Sequence, residues 1–398
     1  MNTHSIYLFA TLSVLPVLSN AATVSLLVGD LRNEGIYRFS DLDGDGQASG
    51  HEGTVYFDGS SLGLDGLSVF TIEGKNGVYY AGEGDTDTVY RLEDTDGNGN
   101  ANGNGEASVW FSSDNAEGYK LHTPNGMAIG SDGAIYITEA DVLSDQSGDF
   151  IYRTVDLDGD GDANDAGEVT PWLDLKALND KSSPFEISFD GDVAYITDTV
   201  GTDDNVIYRA EDIDGSGIVE ADEVSIFISE SESFGAPIDF GMTALDGTVY
   251  SLELFDFLNP ASLYGLNDLN GNGVIDSEDE VTEVWNGSFL PEGFGIDFGF
   301  DLNSNGTDTL TIVSNGLTPE TNGVFLLTDL NGDQDFFDEG ETTVFASEQA
   351  FPGIFGKPRP VAFYDGMVPA VVPLPAGLPL LICGVAGLAL VRRRKTQR

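Results

Sequence analysis

The sequence predicts an all-β fold of six four-stranded blades closed into a ring, a β-propeller, and three observations predict it. The first is a word that recurs six times, with an aromatic residue four positions ahead of an Asp: Tyr37 and Asp41, Tyr90 and Asp94, Tyr152 and Asp156, Tyr208 and Asp212, Tyr264 and Asp268, Phe325 and Asp329. An acid follows eleven or twelve positions after that Asp, at Glu52, Glu106, Glu168, Glu223, Glu280 and Glu341. In five copies another aromatic lies four residues beyond the acid (Tyr56, Trp110, Trp172, Phe227, Phe345), and the fifth copy has Trp285 one place later. The second observation is that the intervening segments repeat too, as strand, Gly turn and strand, for example over 125–140 and 185–198. Each period of about 58 residues therefore carries four short strands, the content of one propeller blade.

The third observation is the phase of the repeat at the two ends. The chain enters at TVSLLVGD, a second-strand sequence with no first strand ahead of it. After the sixth loop comes KPRPVAFYDG, a first strand with nothing after it. If that C-terminal strand joins the N-terminal blade, the ring closes and exposed sheet edges disappear.

Taken in order, the chain divides into 1–21, 22–366 and 367–398. Residues 8–22 form an apolar run of signal-peptide length ending in Ser19, Asn20 and Ala21, a small-x-small pattern that implies export. The propeller body has abundant Gly, scarce helix formers and short runs of Val, Ile, Tyr and Phe between Asp, Asn and Gly clusters. Residues 371–391 are apolar without interruption, long enough to cross a bilayer, and Arg392, Arg393, Arg394 and Lys395 follow as a cytoplasmic anchor. Within this tail Val372, Pro373, Leu374, Pro375 and Ala376, the apolar span and the basic end resemble, in that order, the VPLPA variant of the PEP-CTERM sorting signals. The resemblance implies an exosortase-type processing enzyme, cleavage near the VPLPA box and delivery to the bacterial cell surface.

The formal charge is −52, and five of the sixteen basic residues lie in the last seven positions. That sign excludes a nucleic-acid partner. Self-repulsion on this scale calls for cations to hold the body compact. The one cysteine, Cys383, lies in the C-terminal apolar span, so the exported body has no disulfide to fasten its loops.

Each loop places oxygen donors at alternate positions. Loop one has Asp41, Asp43, Asp45, Gly46, Gln47, Ser49 and Glu52 at positions 1, 3, 5, 6, 7, 9 and 12. A hard cation requires six to eight oxygens, which alternate carboxylates of a tight loop bring to one point while Gly permits the sharp turn. Loop four follows the same spacing with Asp212, Asp214, Ser216, Gly217, Glu220 and Glu223. In loops two, three and five the closing Glu is one place later, after Asp94/Asp96/Asn98, Asp156/Asp158/Asp160 and Asp268/Asn270/Asn272, and in loop five Asp279 offers an alternative to Glu280. Loop six has Asp329, Asn331, Asp333 and Glu341, with Gln334 at the turn. The ligand order resembles EF-hand loops, whereas the flanks read as strands; calcium loops in propeller hairpins of the integrin α-chain type are the nearer likeness. Several structural calcium ions are expected, without the paired helices of a sensor. Arg38, Arg91, Arg153 and Arg209 stand three residues ahead of a loop Asp and are expected to pair with loop carboxylates.

The body is also similar to six-bladed propellers of the NHL and gluconolactonase-like group, chiefly at Pro124, Asn125, Gly126, Met127, Ala128, Ile129 and the SDGAIYITEA that follows. That resemblance bears on fold more than activity. It implies an alternative reading as a metal-dependent lactonase or esterase, in which Asn125, Glu186 and Asp239 imitate part of a tunnel metal set. Asp65, Asp297 and Arg359 are further polar candidates for the tunnel. No Walker, Rossmann or G-x-S-x-G word occurs in its required context. The primary expectation is a surface-sorted, calcium-binding propeller that binds a partner, such as a surface polysaccharide or another protein, or serves as a matrix module.

Overall fold

The computed structural model describes residues 24–366 apart from 141–148, 200–203, 237, 239–240, 253–260, 288–301, 305–308 and 317. The expected leader and the expected sorting tail lie outside the described residues. No helix among the described residues is long and apolar enough to cross a membrane.

Twenty-four strands form six four-stranded antiparallel sheets. β1 (Ser25–Asp30), β2 (Gly35–Ser40) and β3 (Gly53–Phe57) are the outer strands of blade one. Blade two is β4 (Val69–Lys75), β5 (Val78–Glu83), β6 (Thr88–Glu93) and β7 (Ala107–Ser112). Blade three is β8 (Pro124–Ile129), β9 (Ile135–Glu139), β10 (Phe150–Thr154) and β11 (Val169–Asp174). Blade four is β12 (Pro184–Asp190), β13 (Val193–Asp198), β14 (Val206–Ala210) and β15 (Val224–Ser229). Blade five is β16 (Gly241–Leu245), β17 (Thr248–Leu252), β18 (Ser262–Leu266) and β19 (Val281–Asn286). Blade six is β20 (Leu302–Ser304), β21 (Thr309–Asn315), β22 (Asn322–Thr328) and β23 (Thr342–Ser347). The last strand, β24 (Pro358–Phe363), pairs with β1 through Leu26 with Phe363, Leu27 with Ala362 and Val28 with Val361, so both termini build blade one as the phase of the repeat predicts.

The inner strands touch in a closed circuit, β24 to β4, β8, β12, β16, β20 and back to β24. Each blade is therefore covered on both faces, and β1 is buried at all six positions, whereas the inner strands also carry polar residues such as Thr71, Glu73, Glu186, Ser188 and Thr243. The core is six clusters, one per joint, each drawn from two neighbouring blades. In the joint of blades one and two, for instance, Tyr79 and Tyr364 stack at 5.2 Å and Tyr56 meets both edge-on.

A β-bulge recurs between the third and fourth strands of every blade, next to the repeated strand aromatic. The extra residue is Tyr56, Trp110, Trp172, Phe227, Val284 and Phe345 in turn. In blade five Leu263 pairs with Trp285 and Tyr264 with Glu283, so Val284 holds the bulge and Trp285 the adjoining paired place. The displaced aromatic of the fifth repeat is thus a change of residue at an unchanged bulge.

Candidate metal centres

Strands one and three of a blade run the same way, so the first hairpin turn and the acidic loop open on one face. Within each loop the first Asp organises the turn. One oxygen of Asp41 accepts N–H bonds from Gly44 at 2.7 Å and Asp45 at 3.1 Å, and the other accepts from Gly46 at 3.0 Å. The contact to position six recurs from Gly99 to Asp94, Gly161 to Asp156, Gly217 to Asp212, Gly273 to Asp268 and Gln334 to Asp329, at 2.6–3.0 Å. Position six has positive φ in all six loops, from 71° at Gln334 to 98° at Gly161.

The closing Glu reaches back in every loop and accepts the N–H of position two: Leu42 to Glu52, Thr95 to Glu106, Leu157 to Glu168, Ile213 to Glu223, Leu269 to Glu280 and Leu330 to Glu341, at 2.8–3.1 Å. Whether the Glu stands at position 12 or 13 makes no difference, because the extra residue is absorbed just ahead of it. In loop five the inward residue is Glu280, only 2% exposed, while Asp279 is exposed. Backbone N–H groups, led by that of Asp276, hold the Glu280 carboxyl below the usual range.

These contacts gather the carboxylates. Oxygens of Asp41, Asp43 and Asp45, of Asp94, Asp96 and Glu106, of Asp156, Asp158 and Glu168, and of Asp212, Asp214 and Glu223 lie within 4.8 Å of one another in each set. Asp158 and Asp160 also converge with Asp165, a donor absent from the regular spacing. Calcium takes its oxygens at about 2.4 Å, so carboxylate oxygens gathered this closely are near enough to share one ion. Like charges crowd here: Asp214 above all, with burial and Glu223, pushes the Glu220 carboxyl up. Asn98 accepts from Asn100 N–H at 2.9 Å, and the Ser216 hydroxyl donates to the Ile218 carbonyl at 3.0 Å. In loop five the amide of Asn270 donates to Asp276 and Glu280 at 3.1 Å and that of Asn272 to Asp276 at 2.8 Å. In loop six the Asn331 amide donates to Asp333 at 3.0 Å and also to Asp338. Asp276, at position nine, and Asp338, at position ten and outside the alternate-position rule, thereby join the candidate set.

The strongest unforeseen feature is position eight. Its N–H donates to the carbonyl of the bulge residue in the preceding blade: Ala48 to Phe345, Ala101 to Tyr56, Ala163 to Trp110, Val219 to Trp172, Ile275 to Phe227 and Phe336 to Val284, all at 2.7–2.8 Å. The side chain at that position is buried in the same joint's core cluster. Each acidic loop therefore fastens its own blade to the one before, around the whole ring. The apolar residue at a fixed offset was the available signal.

The arginines do not pair with the first loop Asp. Arg91 bonds Glu93 at 2.5 Å and Arg209 bonds Glu211 at 2.7 Å, the residues just ahead of their loops. Arg153 bonds Asp132 at 2.8 Å, and Arg38 donates to the Gly99 carbonyl of the next loop at 2.7 Å. Arg91, Arg153 and Arg209 thus pair with acids of their own blades, whereas Arg38 donates to the neighbouring one.

The opposite face holds buried acids at second-strand ends. Asp30 accepts N–H groups of Asn33, Gly356 and Lys357 and Glu83 those of Ser68 and Thr86, while Asp198 accepts from Ser183 and Glu139 lies 2.8 Å from His122. They satisfy the backbone of the connections between blades.

In the tunnel, Glu73, Glu186, Ser188, Thr71, Thr243 and apolar neighbours surround a space of about 50 Å³. Of the four described candidates only Glu186 lines it. Asn125 is buried and donates to the Pro184 carbonyl at 3.2 Å, Asp65 is exposed, and Arg359 lies 4.1 Å over the Phe70 ring. Asp239 and Asp297 lie outside the described residues.

Fold and loops together define a six-bladed β-propeller whose blades are joined by acid-rich hairpin loops. No family model matches the chain, and no curated protein matches it. Among solved structures it is similar to a chain of the nidogen/laminin complex, with 14% identity, 86% of this chain and 98% of that chain covered, and a TM-score of 0.52. It is also similar to the streptogramin B lyase structure (14%, 85% and 86%, 0.48) and to a candidate 6-phosphogluconolactonase from Bacteroides uniformis (14%, 86% and 100%, 0.44). At this identity the likeness is one of fold alone.

Proposed function

We propose that the protein is an exported, surface-sorted propeller whose blades are clamped by calcium and which acts as a binding or matrix module. The observation that carries the reading is the six-fold recurrence of one loop geometry, with a first Asp and a closing Glu turned inward and position eight bonded to the preceding blade, and with carboxylates gathered in loops one to four. Without a cation each loop gathers repelling charges, and with one the same charges become ligands. The leader, the VPLPA box and the basic end support delivery by an exosortase-type enzyme. No disulfide competes for the fastening role.

Two measurements test this. The melting midpoint of the 22–366 body should climb steeply as calcium is raised through about 0.1 to 1 mM, the range of extracellular modules; an unchanged midpoint after chelation removes the calcium role. Mass spectrometry of the mature surface fraction should find a chain without Cys383 and the Arg cluster, and an intact C-terminus there would contradict sorting by cleavage.

A further inference from the structure

We infer that the joint between blades three and four is a binding pocket for a neutral saccharide, an inference that rests on the reading of the protein as a binding module. A cavity of about 560 Å³ opens there on the face of the acidic loops. Its walls are the β8–β9 turn with Ser131 and Asp132, the β12–β13 region with Phe189 and Asp192, and loop four at Asp212 and Ile213. That volume lies within the range of small-molecule sites, about 300 to 1,000 Å³.

The cavity exists because of what one arginine does. In the joint of blades one and two Arg38 reaches loop two at Gly99, is only 6% exposed and lies 5.3 Å over Tyr364, so it fills the space. In the joint of blades four and five Arg209 lies against loop five, its Cδ 3.6 Å from where a Cβ on Gly273 would stand. In the joint of blades three and four Asp132 draws Arg153 back onto its own blade's turn through Nε and Nη2, both at 2.8 Å. The room in front of loop four is left open. Where the arginine is replaced by glycine, at Gly265, a second cavity of about 310 Å³ opens in the corresponding place beside loop six.

The lining selects the ligand class. The charge of the protein repels anions. The carboxylates of the pocket already have partners: Asp132 has Arg153, Asp192 accepts the Ser131 hydroxyl at 2.5 Å, Glu211 has Arg209, and Asp212 accepts the Gly217 N–H. Arg153 and Arg209 offset the charge of Asp132 and Glu211, Asp212 belongs to the candidate cation set of loop four, and Asp192, bonded only to a neutral hydroxyl, keeps lone pairs to spare, so the lining offers acceptors for hydroxyl donors. Phe189, partly exposed and backed by the buried rings of Tyr136 and Trp172 with centroids 4.8–6.1 Å apart, offers an aromatic face for the C–H side of a sugar ring.

The test is calorimetric titration of the whole exported protein in saturating calcium with three probes: neutral hexose oligosaccharides of three to six units, an oligouronate of the same length, and oligolysine. A neutral oligosaccharide should bind, and Asp192→Ala, at an exposed turn, and Phe189→Ala should each weaken it at least tenfold while the Asp192→Ala melting midpoint stays at the wild-type value. Asp246→Ala, at the smaller cavity, should leave that affinity unchanged. Neutral-sugar binding that survives both pocket substitutions overturns the pocket and leaves the binding-module reading standing. Binding of oligolysine or oligouronate in place of neutral sugar overturns the ligand class. Binding of none of the three overturns the inference and withdraws support from the module reading as well.

Discussion

Gln334 is the residue at which the repeated loop departs furthest from its own rule. Position six turns its N–H inward to the first Asp, which requires positive φ, and five loops meet that demand with Gly. Gln334 adopts φ 71° with a Cβ in place, a conformation that costs an L-residue roughly 1 kcal/mol or more. Gln334→Gly should therefore raise the unfolding free energy by about 1 kcal/mol and strengthen cation binding at loop six. Gly46→Ala should lower it by about the same amount, purely through torsion, because nothing lies within 4 Å of a Cβ placed there. Urea unfolding in saturating calcium reads both changes, and a neutral Gln334→Gly would show that the turn is relaxed by its surroundings.

At the scale of the element, the strand that closes the ring is held by Asp365, two residues beyond its end. Asp365 accepts N–H bonds from Asn76 at 2.7 Å and Gly77 at 2.9 Å and the Tyr79 hydroxyl at 2.8 Å, which ties β24 to the β4–β5 turn. Burial pushes its carboxyl up, but these donors outweigh burial and hold it below the usual range. A depressed folded pKa contributes stability that is fully present above the unfolded value of about 4 and is lost as pH falls through the folded one. Asp365→Asn should accordingly melt below wild type at pH 7, with the gap closing below about pH 4. A gap independent of pH would mean that packing, not the charged form, holds the strand. The strand itself was legible in KPRPVAFYDG, as were the six blades, because both rest on a local period in the chain. The bulge was not, since Trp285 moves by one place while the pairing stays, and only the register of Leu263 and Tyr264 distinguishes the two. The tunnel candidates were placed by strand phase alone, which cannot tell that Asn125 spends its amide on Pro184. The Asp and Glu residues that the loops turn inward were legible through spacing, whereas Asp165 and Asp338, at position ten, arrive through a one-residue insertion whose path is set in three dimensions.

For the whole molecule, the six position-eight bonds recur at every joint, and each depends on the shape of an acidic loop. In a body of this charge without disulfides the loops add to the β24–β1 pairing and to the apolar cluster at each joint, and under the proposed calcium role removal of the ion should act on the joints before the blades. Hydrogen exchange at the amides of Ala48, Ala101, Ala163, Val219, Ile275 and Phe336, with and without calcium, measures this most directly. The account predicts that all six lose protection together on chelation while the β5–β6 pairing amides of blade two, such as Ala81 and Tyr90, remain protected; six amides equally protected in both conditions would contradict it.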